Sequence, residues 1–172
     1  MIVVVMGVTG AGKTTVGNLL ARQLGWESAD ADSFHSPANV EKIRRGIPLD
    51  DADRAPWLAA LRQAIEGWVA AHKNVVLACS ALKKSYRDEL SVSDEVKFVY
   101  LKGSYDLIYQ RLRGRHGHFA SAKILASQFA DLEEPDDAFT VDIDQSPEQI
   151  VAAIRQGLGL DRVRVGSESP GP

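Results

Sequence analysis

The run Gly7-Val8-Thr9-Gly10-Ala11-Gly12-Lys13-Thr14 matches the pattern G-x-x-x-x-G-K-[ST] at every position. The chemistry such a run can do is phosphate binding. Its glycines let the backbone turn tightly, so that successive N–H groups converge on phosphate oxygens. A helix starting near Lys13 adds the positive end of its dipole. The Lys13 ammonium can reach β- and γ-phosphates, and the Thr14 hydroxyl can ligate Mg²⁺. With Thr15, residues 7–15 form a candidate nucleotide-binding segment. The setting supports this reading over a chance glycine turn. An apolar run precedes the motif and an amphipathic pattern follows it. A site that binds nucleotide without reacting stays open at this point.

A second cluster follows one helical pattern later, Asp30-Ala31-Asp32-Ser33-Phe34-His35. If the strand before it persists to Asp32, its two carboxylates share one face. Phosphoryl transfer to a hydroxyl needs a carboxylate near the acceptor oxygen and charge control around Mg²⁺. One aspartate can orient the acceptor while the other supports metal-bound water. Alone, D-x-D reads equally well as a solvated acidic turn. Downstream of a phosphate loop, the catalytic reading is the stronger. A switch GTPase would add D-x-x-G and N-K-x-D, and the chain contains neither.

The elements that must position these residues alternate between two periods. Ile2 to Met6 is a β-branched run suited to a strand buried on both faces. Val16, Leu19, Leu20 and Leu24 recur at helical spacing until Gly25. Trp26–Asp30, Val75–Cys79, Val96–Leu101 and Phe139–Ile143 read as further strands. Helical patterns follow Ser36-Pro37, run from Trp57 to Val69, and cover Lys83–Leu90, Leu107–Leu112 and Pro147–Leu158. This β-α alternation predicts an α/β fold, a three-layer α/β/α sandwich around a parallel sheet. Ligands in such folds gather at the carboxyl ends of strands. The phosphate loop, Asp30–His35 and Ser80–Lys84 all fall there.

Composition narrows the partners. At 172 residues the chain is long enough for one domain, which typically takes roughly 100–200. With 45% hydrophobic and 25% charged residues it is neither disordered nor a disulfide scaffold. Lys plus Arg number 20 against 23 Asp plus Glu, so no strongly basic footprint points to nucleic acid. The single cysteine, Cys79, excludes an intrachain disulfide and fits a reducing compartment. In its apolar run Cys79 reads as a core residue rather than a nucleophile. The N-terminal apolar run lacks a preceding basic region and is far short of the about 20 residues a membrane span needs. A cytoplasmic location without membrane association is the expectation. Residues 1–160 are expected to form one domain, followed by a loose tail over 161–172.

At this level of detail the chain resembles the gluconate kinase family, within the wider shikimate kinase and nucleoside monophosphate kinase group. The matching stretches include Gly7–Thr14, Asp30–His35, Asn39–Leu58, Cys79–Asp88, Val99–Gly103, Gly117–Phe119, Ser127–Pro135 and Val141–Pro147. The phosphate loop is shared by many families. The combination of PLDDADRAPWL, CSALKKSYR and GHF is far more selective. The resemblance implies ATP and Mg²⁺ as cofactors, a sheet of five strands in the order 2-3-1-4-5, and D-gluconate phosphorylated at O6. It is compatible with a homodimer and places the product in sugar-acid catabolism. Related kinases of shikimate or another small hydroxy acid remain the nearest alternative.

Under this resemblance, roles can be assigned. A six-carbon acid needs a cation for its carboxylate, polar groups for its hydroxyls and a carboxylate at the acceptor oxygen. Asp32 is the candidate for the last. His35 and Asn39 can bond hydroxyls; His35 reads equally as a cap or core histidine. Arg54, with its planar fork, is the candidate for the substrate carboxylate, and Lys42 the second. Alternatively Arg54 pairs with Asp50 or Asp51 at the surface. Ser80 can reach the nucleotide or the substrate. The resemblance adds Lys83, Arg87 and Gln128 to the substrate side, while Lys84 reads as solvated. Trp68 reads as core, and Trp57 as core or as a border of the site. The Arg-, Gly- and His-rich stretch from Arg111 to Phe119 corresponds to a lid in the wider group, over about 111–130. Arg111 and Arg115 are its candidate phosphate contacts, with Arg115 counted among the catalytic groups. The loop Asp144–Pro147 suits a position beside the adenine.

Overall fold

The alternation of periods becomes a parallel sheet wrapped by helices. The structure is a computed structural model that describes residues 1–114 and 118–161, without the side chains of 118–121. The strands are β1 (Ile2–Met6), β2 (Glu27–Asp30), β3 (Val75–Ala78), β4 (Val96–Lys102) and β5 (Phe139–Asp142). The helices are α1 (Lys13–Leu24), α2 (Pro37–Arg44), α3 (Asp51–Ala70), α4 (Lys84–Leu90), α5 (Tyr105–Arg113), α6 (His118–Asp131) and α7 (Pro147–Gly157). All pairings are parallel, in the order β2-β3-β1-β4-β5. This is the expected three-layer architecture.

The central strand β1 shows why. Its five residues are all fully buried. Val3 and Val5 join one core, with Val16 and Leu20 of α1 and Ile150 and Ile154 of α7. Ile2, Val4 and Met6 face the other, with Leu61 and Ile65 of α3 and Leu77 of β3. Alternate side chains of a strand point to opposite faces, so an unbroken apolar run requires both faces to be covered. Helix starts are marked chemically. Ser36, Ser104 and Ser146 cap α2, α5 and α7 with their side chains, and Asp50 and Asp53 form a reciprocal capping box on α3.

Two features depart from the sequence expectation. The strand β2 does not persist to Asp32. It stops at Asp30, and Ala31–Phe34 form a 3-10 turn. The cause is local: Asp30 Oδ1 accepts the Asp32 backbone N–H at 2.9 Å, a turn that aspartate favours. The two carboxylates therefore do not share a strand face. The other departure is α6, a fourteen-residue helix where a lid was expected and no helix assigned. Leu125 of α6 is fully buried in the core beside α1 and α7, with Phe129 and Leu132 packed against it.

Candidate active site

The loop after β1 carries the phosphate motif. Gly12 caps α1 in the left-handed conformation, with φ of 96°, and no side chain caps the helix. The first N–H groups of α1 are thus left without side-chain acceptors. Gly10 also has positive φ, +79°, and a Cβ there would stand 2.8 Å from Leu112 Cγ. Glycine is required at that position twice over. Lys13 folds back so that Nζ donates to the Val8 carbonyl at 3.0 Å. Burial lowers its pKa, opposed by the nearby Asp32 and Asp30 carboxylates.

Thr14 Oγ1 donates to Asp30 Oδ2 at 3.2 Å. The same aspartate that terminates β2 thereby meets the motif's hydroxyl. These are hard oxygen donors beside a phosphate nest, and they suit Mg²⁺, which prefers few protein ligands alongside phosphates and waters. Asp32, by contrast, lines a cavity of about 130 Å³.

That cavity gathers residues from distant parts of the chain. Thr9, Lys13, Asp32, His35, Arg54, Ser80 and Gln128 line it, together with apolar Ile43, Pro48, Leu49, Trp57, Leu82 and Ile124. Arg54 is 8% exposed. Its Nη1 donates to Tyr86 Oη at 3.0 Å and pairs with Asp131 Oδ2 at 2.9 Å. Burial works against this charge, but the Tyr86 and Asp131 contacts outweigh it and raise the pKa. The alternative surface pairing with Asp50 or Asp51 is absent among the described contacts, because α3 turns Arg54 inward. Asp51 instead accepts from Tyr86 Oη and from Lys83 Nζ, and these bonds hold its carboxyl below the usual range.

The remaining candidates are sorted by geometry. Gln128 of α6 reaches the phosphate loop, its Oε1 accepting the Thr9 N–H at 2.5 Å. His35 stacks on Trp57 with ring centroids 4.6 Å apart. Asn39 is buried behind His35 rather than on the cavity wall. Lys42 lies outside the lining and pairs with Asp53 at 2.8 Å. Lys83 likewise pairs with Asp51 at 2.9 Å. Arg87 is buried and donates to the carbonyls of Ala81, Leu82 and Glu133, so its guanidinium ties backbone together away from the cavity. Lys84 is exposed and paired with Asp88. Cys79 is buried, and burial pushes its thiol up to about 12, which suits an inert core residue.

A second cavity, about 330 Å³, opens on the other side of the phosphate loop. Gly10, Gly12, Thr15, Arg111, Gln145 and Pro147 are on its wall. It brings the start of α1 next to the loop after β5. Arg111 is held there by a 2.6 Å bond from Nη2 to the Ile143 carbonyl. Arg115 lies outside the described residues.

Three residues of this arrangement escape a sequence reading. Asp131 and Tyr86 hold Arg54, and Ile124 closes the cavity. The spacing of Leu125, Phe129 and Leu132 at i, i+4 and i+7 was the available signal for α6 and hence for Asp131.

With this geometry in hand, the relatives can be compared. A family model described as shikimate kinase matches residues 9–157. A probable gluconokinase of Mus musculus is 44% identical over 178 residues, covering 91% of this chain and 97% of that one. The chain belongs to the gluconokinase family. A gluconokinase of Gluconobacter oxydans (strain 621H) is 50% identical over 135 residues, covering 78% of this chain and 76% of the relative. The crystal structure of a gluconokinase from Sinorhizobium meliloti 1021 superposes with a TM-score of 0.82 at 40% identity, covering 92% and 91% of the two chains. Kinase chemistry on the shikimate kinase fold is therefore the frame for the two cavities.

Proposed function

We propose that this protein transfers the γ-phosphoryl group of ATP to O6 of D-gluconate, giving 6-phospho-D-gluconate and ADP. One observation carries the reading. Lys13 from the phosphate nest, Asp32 and Arg54 line a single cavity. A triphosphate in the nest thus has its terminal phosphate facing a space with a carboxylate for an alcohol and a guanidinium for an acid. The resident names of the relatives supply the acid.

Asp32 orients the acceptor hydroxyl and takes its proton as the new O–P bond forms. The transition state of phosphoryl transfer is loose, so positioning matters more than basicity. Lys13 offsets charge on the phosphates. Arg54 receives the substrate carboxylate on the guanidinium edge not used by Asp131 and Tyr86. Ser80, His35 and Gln128 contact hydroxyls, and the apolar wall of Ile43, Leu49 and Leu82 excludes water, which would otherwise accept the phosphoryl group. Thr14, with Asp30 behind it, would hold Mg²⁺, which would offset the negative charge of the phosphates. Residues 1–160 act as one kinase unit, with Arg111 of α5 toward the nucleotide cavity.

The test is ADP release with ATP and Mg²⁺ against gluconate, shikimate, glucose and gluconolactone. Turnover with gluconate alone, and a product with phosphate on the primary alcohol, is the expected result. Preferred turnover of shikimate would reassign the acceptor. ATP binding without turnover on any of them would make the protein a nucleotide-binding module.

A further inference from the structure

We propose that Asn39 is a positioning residue for the acceptor site: anchored on the Asp53 carbonyl, it holds neutral His35 as the Nε2–H tautomer, so that His35 faces the substrate as a hydrogen-bond donor. The inference rests on the acceptor reading above and adds the polarity of its wall.

The amide orientation of Asn39 is decided by its partner. Nδ2 lies 2.8 Å from the Asp53 carbonyl oxygen, which can only accept. The atom there must be the NH₂ group. The same Nδ2 lies 3.4 Å from His35 Nδ1. Facing a donor, Nδ1 must carry a lone pair, and in a neutral imidazole the proton then sits on Nε2. The ring plane is fixed independently. His35 and Trp57 are stacked with an interplanar angle of 8°, and Trp57 Nε1 donates to the Ala31 carbonyl at 2.8 Å. Asp53 is itself fixed by the α3 capping box and by Lys42. A chain of restraints thus runs from the start of α3 to one ring nitrogen.

The charges around the ring agree with a neutral state. Burial disfavours the imidazolium, Asp32 from the 3-10 turn favours it, and Arg54 from α3 disfavours it, with the pKa lowered on balance. Lys13 of α1 and Gln128 of α6 line the same cavity, and Asn39 and Trp57 bring no charge. Gln128 obeys the same logic as His35. Its Oε1 is taken by the Thr9 N–H, which leaves its NH₂ as the end to offer. His35 and Gln128 are thereby set as donors beside Arg54, and Asp32 is the carboxylate among the described lining residues. A hydroxyl that accepts from His35 keeps its own proton for a carboxylate. Such a wall selects a ligand rich in oxygen lone pairs, as a polyhydroxy acid is.

The deciding measurement is a long-range ¹⁵N–¹H correlation spectrum of the ¹⁵N-labelled, unmutated protein near neutral pH. His35 is assigned by the signal missing in His35→Gln. A protonated Nε2 with bare Nδ1 is expected; an Nδ1–H tautomer or an imidazolium overturns the proposal. The kinetic arm uses Asn39→Asp, which puts an acceptor where the donor was. Loss of one net hydrogen bond raises the gluconate KM by roughly three- to tenfold, with the ATP KM unchanged. The new carboxylate draws the neutral ring's proton to Nδ1 and strips Nε2 of its donor; as pH falls and the imidazolium forms, Nε2 donates again and the KM penalty shrinks, whereas Asn39→Ser, which keeps a donor, shows no such pH dependence. A KM penalty in Asn39→Asp that does not shrink as pH falls marks Asn39 as merely structural and overturns the proposal. Should no sugar acid be turned over, the acceptor reading fails, and the spectrum still decides the tautomer.

Discussion

The two cavities flanking the phosphate loop are built on opposite principles. The phosphate-binding part of the nucleotide side comes from one continuous segment, residues 7–15, and works mainly through backbone N–H groups at an uncapped helix start. The acceptor side is made of side chains carried by α1, the 3-10 turn, α3, the end of β3 and α6. Phosphate is a constant ligand that backbone geometry can recognise. The acceptor varies between kinases, and side chains held by their own partners recognise it. Damage on the first side should therefore fall on every acceptor, and damage on the second only on the acid that fits.

The largest effect belongs to Lys13→Ala. Loss of the cation at the transferring phosphate should lower kcat by about a thousandfold with any acceptor, while circular dichroism shows the fold intact. Near-normal turnover would break the division at its root. Asp32→Asn comes next. It sits where the two sides meet, and kcat should fall on the order of a hundredfold with the ATP KM little changed. A loss confined to ATP affinity would move Asp32 to the nucleotide side, next to Asp30.

Arg54 and Arg87 sharpen the comparison within the acceptor side. Both are buried arginines, 8% and 6% exposed. Arg54 reaches the cavity, whereas Arg87 spends its donors on three carbonyls. Arg54→Ala should raise the gluconate KM about ten- to a hundredfold, as expected for one charge-assisted contact. Arg87→Ala should leave that KM unchanged and cost on the order of 3 kcal/mol of stability in urea denaturation, about one unit per carbonyl left unpaired. Interchanged results would show that reaching the cavity does not separate the binding arginine from the scaffold one.

The contrast also explains what could be read from the sequence. The phosphate loop is local, so Gly7 to Thr15 were legible as a string, and so were β1 and β3, whose apolar runs need no context. Arg54 and Gln128 reach the cavity as the family resemblance implied, but Asp131 was not legible, because nothing in a string says that residues 54 and 131 will touch. The same holds for Arg87. Its position in a basic helix resembles a binding site, and only the approach of Glu133 from another segment reveals a clamp. The end of β2 failed for a smaller reason. Asp30 can extend a strand or close a turn, and here its side chain closes the turn on the Asp32 N–H, with the Ala31 carbonyl held by Trp57.

The smallest effect concerns acid stability, and it separates the two sides without any substrate. His35 titrates below its ordinary value of 6.5 because burial disfavours its charge. As pH falls through that ordinary value the unfolded chain takes up a proton at His35 that the folded chain refuses. Stability must then fall with pH, since the unfolded state binds more protons. The carboxyls of Asp51 and Asp53 act in a different window. Their hydrogen bonds from Tyr86 and Lys42 hold them below the ordinary 3.8, so their contribution is present above that value and is lost only as pH falls through the depressed one. Between about pH 7.5 and 5.5 the acceptor side should therefore soften through His35, with those two carboxylates silent. Urea midpoints measured across this range should decline for the wild type and decline less for His35→Gln. Equal slopes in the two proteins would mean that His35 is as willing to ionise in the fold as out of it, and the neutral donor on the acceptor wall would be lost with it.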